Sequence, residues 1–473
     1  MKEKNDIVIL GGGLAGLACA DELLRKKPKN ITVTVLEKNP YPGGLAATLK
    51  YNGFKFDLAP HRWFTKNEEL NKWLNELMGK NMVLVDKHTP MYQHGQFYDY
   101  PVKIFDVLFK VGIFKSVFML LTYVYARISN RLKRKKIHTL KDAYINRFGY
   151  ALYKWFNEEY NEKLWGKDAG EKMSADFVDQ RVKNLSMTTA IKSALGIDVR
   201  VISLTPSFKF PKYGTGMISD ALVKRIVKNG GKIIYNSPVI KIKKISNKYK
   251  IYTKNSQYSA DNLVSSIPLD IFFDILDFSK PFSVTASRNK LKFIDQKIVV
   301  LFFNKEKLTE YTWVYVHPKN IGFFRFLETN NWSLLMSPPG KTSVVFEYPY
   351  QKGDFMESIS DNELIRKTTE DFIAYFSPKT KYEDVIDGKV YHVNKAYPKY
   401  DLLYKDALNV LKIYLKKQLN NMQLIGRNGM FRYNNMDHSI YTGILGARNI
   451  IKGKQVYNLE MVNNEAEYLE EKR

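Results

Sequence analysis

The chain begins with a short apolar run, DIVIL (Asp6 to Leu10), that shows no alternation of apolar and polar positions. A run of this kind is buried on both faces and belongs in a parallel sheet. GGGLAG follows at once, and the spacing predicts a helix from about Leu14 to Arg25, ending at KKPKN, where Pro28 cannot continue it. A second strand, ITVTVLE (Ile31 to Glu37), closes on an acid. Residues ~99 to ~205 read as helical. From Tyr213 the pattern is helix, Gly-Gly turn, strand and a meander of short alternating strands ending at NLVSSIP. Residues ~276 to ~415 read as a sheet layer with helices, from QKIVVLFFN and TSVVFEYPY among others. MQLIG, ending at Gly426, reads as a last buried strand, and a helix follows from about His438 to Lys452. Asp437 is its expected N-cap and Gly453 stands just past its end. Ile440, Ile444, Ala447 and Ile451 share an apolar face. Gly443 and Gly446 are expected to allow close approach to the first helix or to a cofactor. No internal repeat or low-complexity tract is visible.

Gly11, Gly13 and Gly16 occupy the G-x-G-x-x-G positions between the first strand and the first helix. Gly11 permits the tight turn, Gly13 lets the backbone approach a pyrophosphate, and Gly16 allows close helix–strand packing. The helix start, with Leu14 and Ala15, offers free N–H groups to phosphate. Glu37, with Lys38 beside it, stands where an acid accepts hydrogen bonds from an adenosine ribose. Strand, glycines, helix, strand and acid in this order predict dinucleotide binding. No second such loop exists: in YGTGMIS the third glycine position is held by Ser219, so an internal nicotinamide domain is not expected.

Glu37, Gly43, Gly44 and Thr48 fit the pattern E-x5-GG-x3-T. The pattern resembles the flavoprotein amine-oxidase superfamily, whose members bind FAD. The usual basic residue after the glycine pair is replaced by Leu45, Ala46 and Ala47, so the resemblance leaves a phosphate contact at Gly44 and Leu45 to the backbone. It implies an α/β chain with a discontinuous, glutathione-reductase-type Rossmann-like FAD-binding domain and an inserted helical and mixed-sheet substrate domain. The expected division is FAD domain in 1–98, 206–275 and 416–473 (with a C-terminal tail), a helical insert in 99–205, and substrate-domain sheet and helices in 276–415. Val239, in SPVIKI, takes the place of a valine whose backbone contacts adenine.

Further motifs are similar to those of UDP-galactopyranose mutases and of protoporphyrinogen-oxidase-like relatives. FDLAPHRWF places His61 where a histidine lies beside the isoalloxazine. In EEYNEKLWGK, residues Tyr160, Lys163, Trp165 and Gly166 match a Y-T-x-K-x-W-G segment, and Trp165 would wall the substrate cavity. KAYPKYD offers Tyr397 and Tyr400 to a substrate phosphate or hydroxyl. GRNGMFRYNNMD is close to G-R-x-G-x-Y/F-R-Y-x-x-M-D. There Gly426 turns the chain beside the cofactor and Arg427 meets phosphate or the flavin edge. Asp437, His438 and Ser439 open a helix whose N–H groups would face the flavin pyrimidine. The departures concern the arginines that clamp a UDP diphosphate in the mutases: only Arg181 is present after the W-G helix, with Leu185 near a second arginine's place, and Lys297 stands where another is usual. Lysine cannot make the bidentate clasp of arginine. The resemblance therefore favours a redox enzyme acting on a glycan, nucleotide-sugar or lipid-type intermediate, in which hydride passes between substrate carbon and flavin. The alternatives are a mutase-like isomerase, with reduced flavin attacking an anomeric carbon and no net redox change, and a non-catalytic FAD scaffold.

Composition changes this picture little. The chain has 473 residues, 45% hydrophobic and 14% aromatic, which suits a globular protein of two or three domains. The net charge of +26 is read as a compositional bias, since no nucleic-acid module accompanies it. Cys19 is the only cysteine and the seven histidines lack metal-ligand spacing, so no disulfide or metal is expected. MKEKNDIVIL is the start of a strand and not of a signal peptide, so a cytoplasmic chain is expected. The expected partner is a small molecule of the nucleotide-sugar, glycan-lipid or isoprenoid class. The most apolar segment, Gly112 to Ile128, has an uncharged centre from Ser116 to Ala126, short of the roughly 20 residues that span a bilayer. It is followed by the basic RISNRLKRKK. Two readings stand: a core helix of the substrate domain, which is preferred, or a helix in peripheral contact with an anionic membrane.

Overall fold

The computed structural model describes residues 5–26, 30–100, 109–133, 136–181 and 206–463. Five parallel strands from three distant parts of the chain form one sheet. Their spatial order is Met422–Leu424, Asn262–Ser265, Asn5–Leu10, Ile31–Leu36 and Lys232–Ile234. The central strand reads as the unalternating DIVIL run requires, with Ile7 to Leu10 buried on both faces. The edge strand Met422–Leu424 is only half-buried, in contrast to the buried strand expected from MQLIG, because a sheet edge has one neighbour.

Helices Leu14–Lys26, Gly216–Lys228 and Met436–Lys452 pack together beside this sheet, with the first in contact with both others. The first and last approach backbone to backbone: a Cβ on Gly443 would overlap the Ala15 carbonyl oxygen and lie 3.1 Å from the Cys19 nitrogen. Buried Asp21 accepts two hydrogen bonds from Arg225 at 2.5 Å, and buried Glu22 accepts one from Arg448 at 2.9 Å. These pairs hold the three helices in register. Gly446 does not face the first helix; its Cβ would meet Ile425 at 3.0 Å.

The last helix differs at its start from the sequence expectation. Asn435, not Asp437, is the N-cap, and its side chain and that of His438 form a reciprocal capping box. Asp437 lies one residue inside the helix because Met436 already has helical geometry. Gly453 ends the helix in the left-handed conformation, with φ of 63°.

A three-stranded antiparallel meander, Val239–Ile245, Lys248–Thr253 and Gln257–Ala260, follows the sheet's outermost strand. A separate seven-stranded sheet has the order Val385–Lys399, Lys292–Phe303, Thr342–Tyr350, Arg325–Glu328, Val314–Val316, Met91–Gln93 and Gln96–Tyr98. Its last two strands come from the segment that the sequence reading placed with the first part of the cofactor domain. Of the helices between Ile113 and Arg181, Glu158–Trp165 packs on strand Thr342–Tyr350 of this second sheet, and Leu140–Phe148 packs on its helical neighbours. Helix Ile113–Lys133 is not a core helix: Met119, Tyr123 and Ala126 are buried, but much of its apolar surface faces solvent. Among the described residues no helix is long and apolar enough to cross a membrane, and no cluster of ligand residues is built for a metal ion.

The glycine contact between first and last helices has a direct consequence. Gly443→Ala should lower stability by about 1–3 kcal/mol, the usual range for forcing atoms into a packed interface. Thermal unfolding that matches the wild type would show that the helices can separate without cost.

Candidate active site

The glycine loop is built as its spacing predicts. Gly11 has φ of 98° and lies against Ser266, where a Cβ would sit 2.5 Å from Oγ. A Cβ on Gly16 would overlap the Gly11 carbonyl, so helix and strand meet only without one. Gly13 differs: a Cβ there would meet nothing within 4 Å. Gly13 therefore stands against open space, and the first-turn amides of Leu14, Ala15 and Gly16 that follow it lack intrahelical acceptors. Gly43 donates its N–H to the Gly12 carbonyl at 2.8 Å, and Gly44 packs on Gly13 with φ of 56°. Leu45 follows in a single 3-10 turn, Gly44–Ala46.

Buried Glu37 accepts hydrogen bonds from Gly12 N (2.6 Å) and Asn39 N (2.8 Å). Lys38 points outward. Ser237 and Asn236 donate to the carbonyls of Glu37 and Asn39, which brings the segment leading to Val239 beside the acid. The YGTG segment has a role that the glycine pattern alone did not reveal. Asp57 accepts from Thr48 Oγ1 at 2.5 Å and from Thr215 N at 3.0 Å, and Gly216 N donates to Thr48 at 2.7 Å. The start of helix Gly216–Lys228 thus carries the chain's own carboxylate. Burial pushes the Asp57 carboxyl up to about 6.

Around His61 the substrate sheet and the C-terminal loop converge. Trp63 anchors the segment by donating its N–H to the Lys209 carbonyl at 3.0 Å and stacking on Trp73 at 6.5 Å. His61 Nδ1 is buried without a hydrogen-bond partner among the described residues. Burial pushes the imidazole down to about 3, reinforced by the charges of Arg427 and Arg325. Arg325, Glu347, Gln296 and Tyr397 form a polar row across four adjacent strands. Arg325 stands opposite Glu347 in register and donates to its two oxygens at 2.5 and 2.7 Å, then to the Tyr397 hydroxyl at 3.3 Å. The Gln296 amide donates to Glu347 at 3.3 Å. Burial pushes the Tyr397 phenol up to about 12.

Aromatic rings close this cluster. Tyr397 and Tyr433 stack with centroids 5.4 Å apart, and the Arg427 guanidinium lies 5.3 Å from both rings. Phe177 meets Tyr433 and Trp165 edge-on at 5.5 and 4.8 Å. Trp165 is buried, and its turn is fixed by Gly166 (φ 94°) and by Gln351, which donates to the Trp165 carbonyl.

Several candidates sit in place with bonds the sequence did not foretell. Arg427 donates through Nε and Nη1 to the Asn434 and Ala396 carbonyls at 2.7 and 3.3 Å, which ties it to the loop. Tyr400 is a packing residue: it stacks on Tyr404 at 4.2 Å, accepts from Tyr433 N and donates to Gln180. Lys163 donates to the Val316 and Phe323 carbonyls, and Lys297 to the Ile359 carbonyl at 2.8 Å. Leu185 lies outside the described residues. Sequence reasoning missed Arg325, Glu347, Tyr433 and Asn434. Asn434 is fully buried with neither amide atom bonded among the described residues, one position before the cap of the last helix. The signal for Arg325 was a lone cation in the apolar GFFRFLE, which demands a buried partner.

A glycine loop open at Gly13, a buried acid closing the second strand and a last helix packed on the first are the features a dinucleotide-binding fold requires. The family description "Flavin containing amine oxidoreductase" matches residues 14–451, and the chain belongs to that family. It is a flavin-dependent enzyme whose cofactor is FAD. A coproporphyrinogen III oxidase of Staphylococcus aureus (strain NCTC 8325 / PS 47) is 20% identical over 89% of this chain and 94% of its own length. A 1-hydroxycarotenoid 3,4-desaturase of Flavobacterium sp. (strain P99-3) is 47% identical over 53 residues, and that match spans only 10% of the desaturase and 11% of this chain. Among solved structures, a reduced UDP-galactopyranose mutase superposes with a TM-score of 0.83 at 20% identity, covering 98% of this chain and 96% of the mutase, a likeness of fold.

The depressed imidazole has a measurable linkage. With a folded pKa near 3 against 6.5 unfolded, His61 contributes stability that is full above 6.5 and is lost as pH falls toward 3. Unfolding midpoints of the wild type should drop through that window, and His61→Gln should flatten the drop. Parallel profiles for both proteins would mean that His61 titrates normally in the fold.

Proposed function

We propose that the protein is an FAD-dependent oxidoreductase acting on a small-molecule intermediate of the glycan, nucleotide-sugar or lipid type. When bound, FAD supplies the two-electron redox chemistry. Gly11, Gly13, Leu14, Ala15 and Gly16 receive the pyrophosphate, with Gly44 and Leu45 beside them. Glu37 would take the ribose through acceptor capacity left beside its bonds to Gly12 and Asn39, with Lys38 at the rim and the Val239 backbone beside adenine. Gly426 and the helix start at Asp437, His438 and Ser439 hold the flavin ring, with Arg427 fixing the loop. The open position at Gly13 and the unbonded Asn434 amide support this assignment.

His61, Tyr397 and Trp165 line the substrate side. An imidazole with a pKa near 3 is neutral at physiological pH and too weak a base to carry a proton away; it orients substrate through its unbonded Nδ1. The Tyr397 phenol keeps its proton and donates to a substrate oxygen. The observation that carries the redox reading is the commitment of Arg325, Lys163 and Lys297 to acceptors within the protein. None of these three presents a free forked clasp of the kind a diphosphate requires. A mutase-like isomerisation without net redox change is the second reading, favoured by Tyr397, whose hydroxyl is oriented by Arg325 as a sugar-binding hydroxyl would need.

Acceptor consumption separates the two. Product formation should track acceptor reduction one to one, and Tyr397→Phe should slow it by about ten- to a hundredfold while FAD content is unchanged. Turnover by dithionite-reduced protein with no acceptor consumed would establish the isomerase instead. Addition of UDP-sugars should leave the flavin spectrum unchanged if the diphosphate clasp is missing.

A further inference from the structure

Helix Ile113–Lys133 carries an outward stripe with no partner among the described residues. Phe114, Phe118, Leu121, Tyr125, Ile128 and Leu132 follow one another at spacings of four and three and are from 55% to 90% exposed. That spacing puts all six on one helix face. The opposite face is fixed to the protein. Met119, Tyr123 and Ala126 are buried, Gly149 packs on the Tyr123 backbone, and Thr122 and Asn130 bond to Ala151 N and Asn146. The helix is thus held rigidly with its apolar side outward. Such patches on a monomer mark an interaction surface.

We propose that this helix docks the enzyme on an anionic lipid surface, lying in the interface with the stripe among acyl chains. The charge distribution selects this occupant. From Val107 to Lys141 the sequence holds no Asp or Glu, while Lys110, Lys115, Arg127, Arg131 and the run Lys133 to Lys136 are cationic. Lys115 and Arg131 border the stripe on either side at helical spacing, and Arg127 and Arg131 are exposed. An apolar stripe flanked by cations suits anionic headgroups, where long basic side chains reach back to the phosphates. A second copy of the chain would bring the same cations together with no carboxylate on the helix to meet them, on molecules that each carry a net charge of +26. With Lys115, Arg127 and Arg131 along it, the helix is not apolar enough to span the bilayer, so the contact is peripheral. The proposal is independent of the redox reading.

The test is cosedimentation of FAD-loaded protein with vesicles of phosphatidylglycerol and phosphatidylcholine, or of phosphatidylcholine alone. Wild-type protein should bind the anionic vesicles about tenfold or more tightly than the neutral ones, and added salt should weaken that binding. Phe118→Glu with Leu121→Glu, and separately Arg127→Glu with Arg131→Glu, should each weaken it about tenfold with FAD content unchanged. All four positions are exposed, and the charge-reversal pair leaves the apolar stripe intact. Failure of the wild type to bind anionic vesicles, or wild-type binding by both variants, overturns the proposal. A dimer in sedimentation velocity that Phe118→Glu with Leu121→Glu dissociates, without vesicle binding, assigns the face to a second copy.

Discussion

Everything about the proposed cofactor site depends on the backbone contact between the first and last helices. Gly443 has no side chain because the Ala15 carbonyl occupies that space, and Gly426 likewise faces Ala15, where a Cβ would come within 2.8 Å of the alanine's own. A parallel sheet that pairs Asn262–Ser265 with both Asn5–Leu10 and Met422–Leu424 brings the two chain ends together. The glycines then set the distance. With Arg448 bonded to Glu22, the helix Met436–Lys452 cannot rotate without breaking a buried ion pair, which is costly once desolvated. The loop that opens at Gly13 and the helix start at Asn435 are therefore fixed with respect to each other.

The second sheet supplies the other wall. Its polar row is unusual in lying among apolar strands, and its members satisfy one another: Arg325 with Glu347, Gln296 with Glu347, Tyr397 with Arg325. The row holds a phenol with a raised pKa, and the charges of Arg325 and Arg427 reach both it and the His61 imidazole, whose pKa is lowered. Both are neutral at physiological pH, so neither side chain is a strong base. In such a site the redox driving force comes from the flavin, and the protein contributes orientation and exclusion of water.

Much of this was legible in the sequence. DIVIL, GGGLAG and ITVTVLE announced strand, turn, helix and strand because local spacing alone determines them. The superfamily resemblance rested on equally local motifs. What was not legible depended on contacts distant in sequence. That Arg427 bonds the Asn434 carbonyl is a matter of where a loop folds back, and the motif does not encode it. Asp437 looked like a cap because capping residues are short and polar, but Asn435 is equally so and begins two residues earlier. Arg325 and Glu347 are 22 positions apart and meet only through strand register. The apolar helix reads first as core, with membrane contact as the alternative, because hydrophobicity reports a preference for burial without saying what buries it.

The central claim is that both ends of the chain hold one FAD. The most direct measurement is FAD affinity of apoprotein, by flavin fluorescence, for wild type, Gly13→Val and Asn434→Ala. The account predicts that both substitutions weaken binding by about tenfold or more, roughly the loss of one or two hydrogen bonds to the cofactor or closure of its phosphate path. Wild-type affinity in Asn434→Ala, with Gly13→Val alone impaired, would contradict it by confining the site to the N-terminal loop.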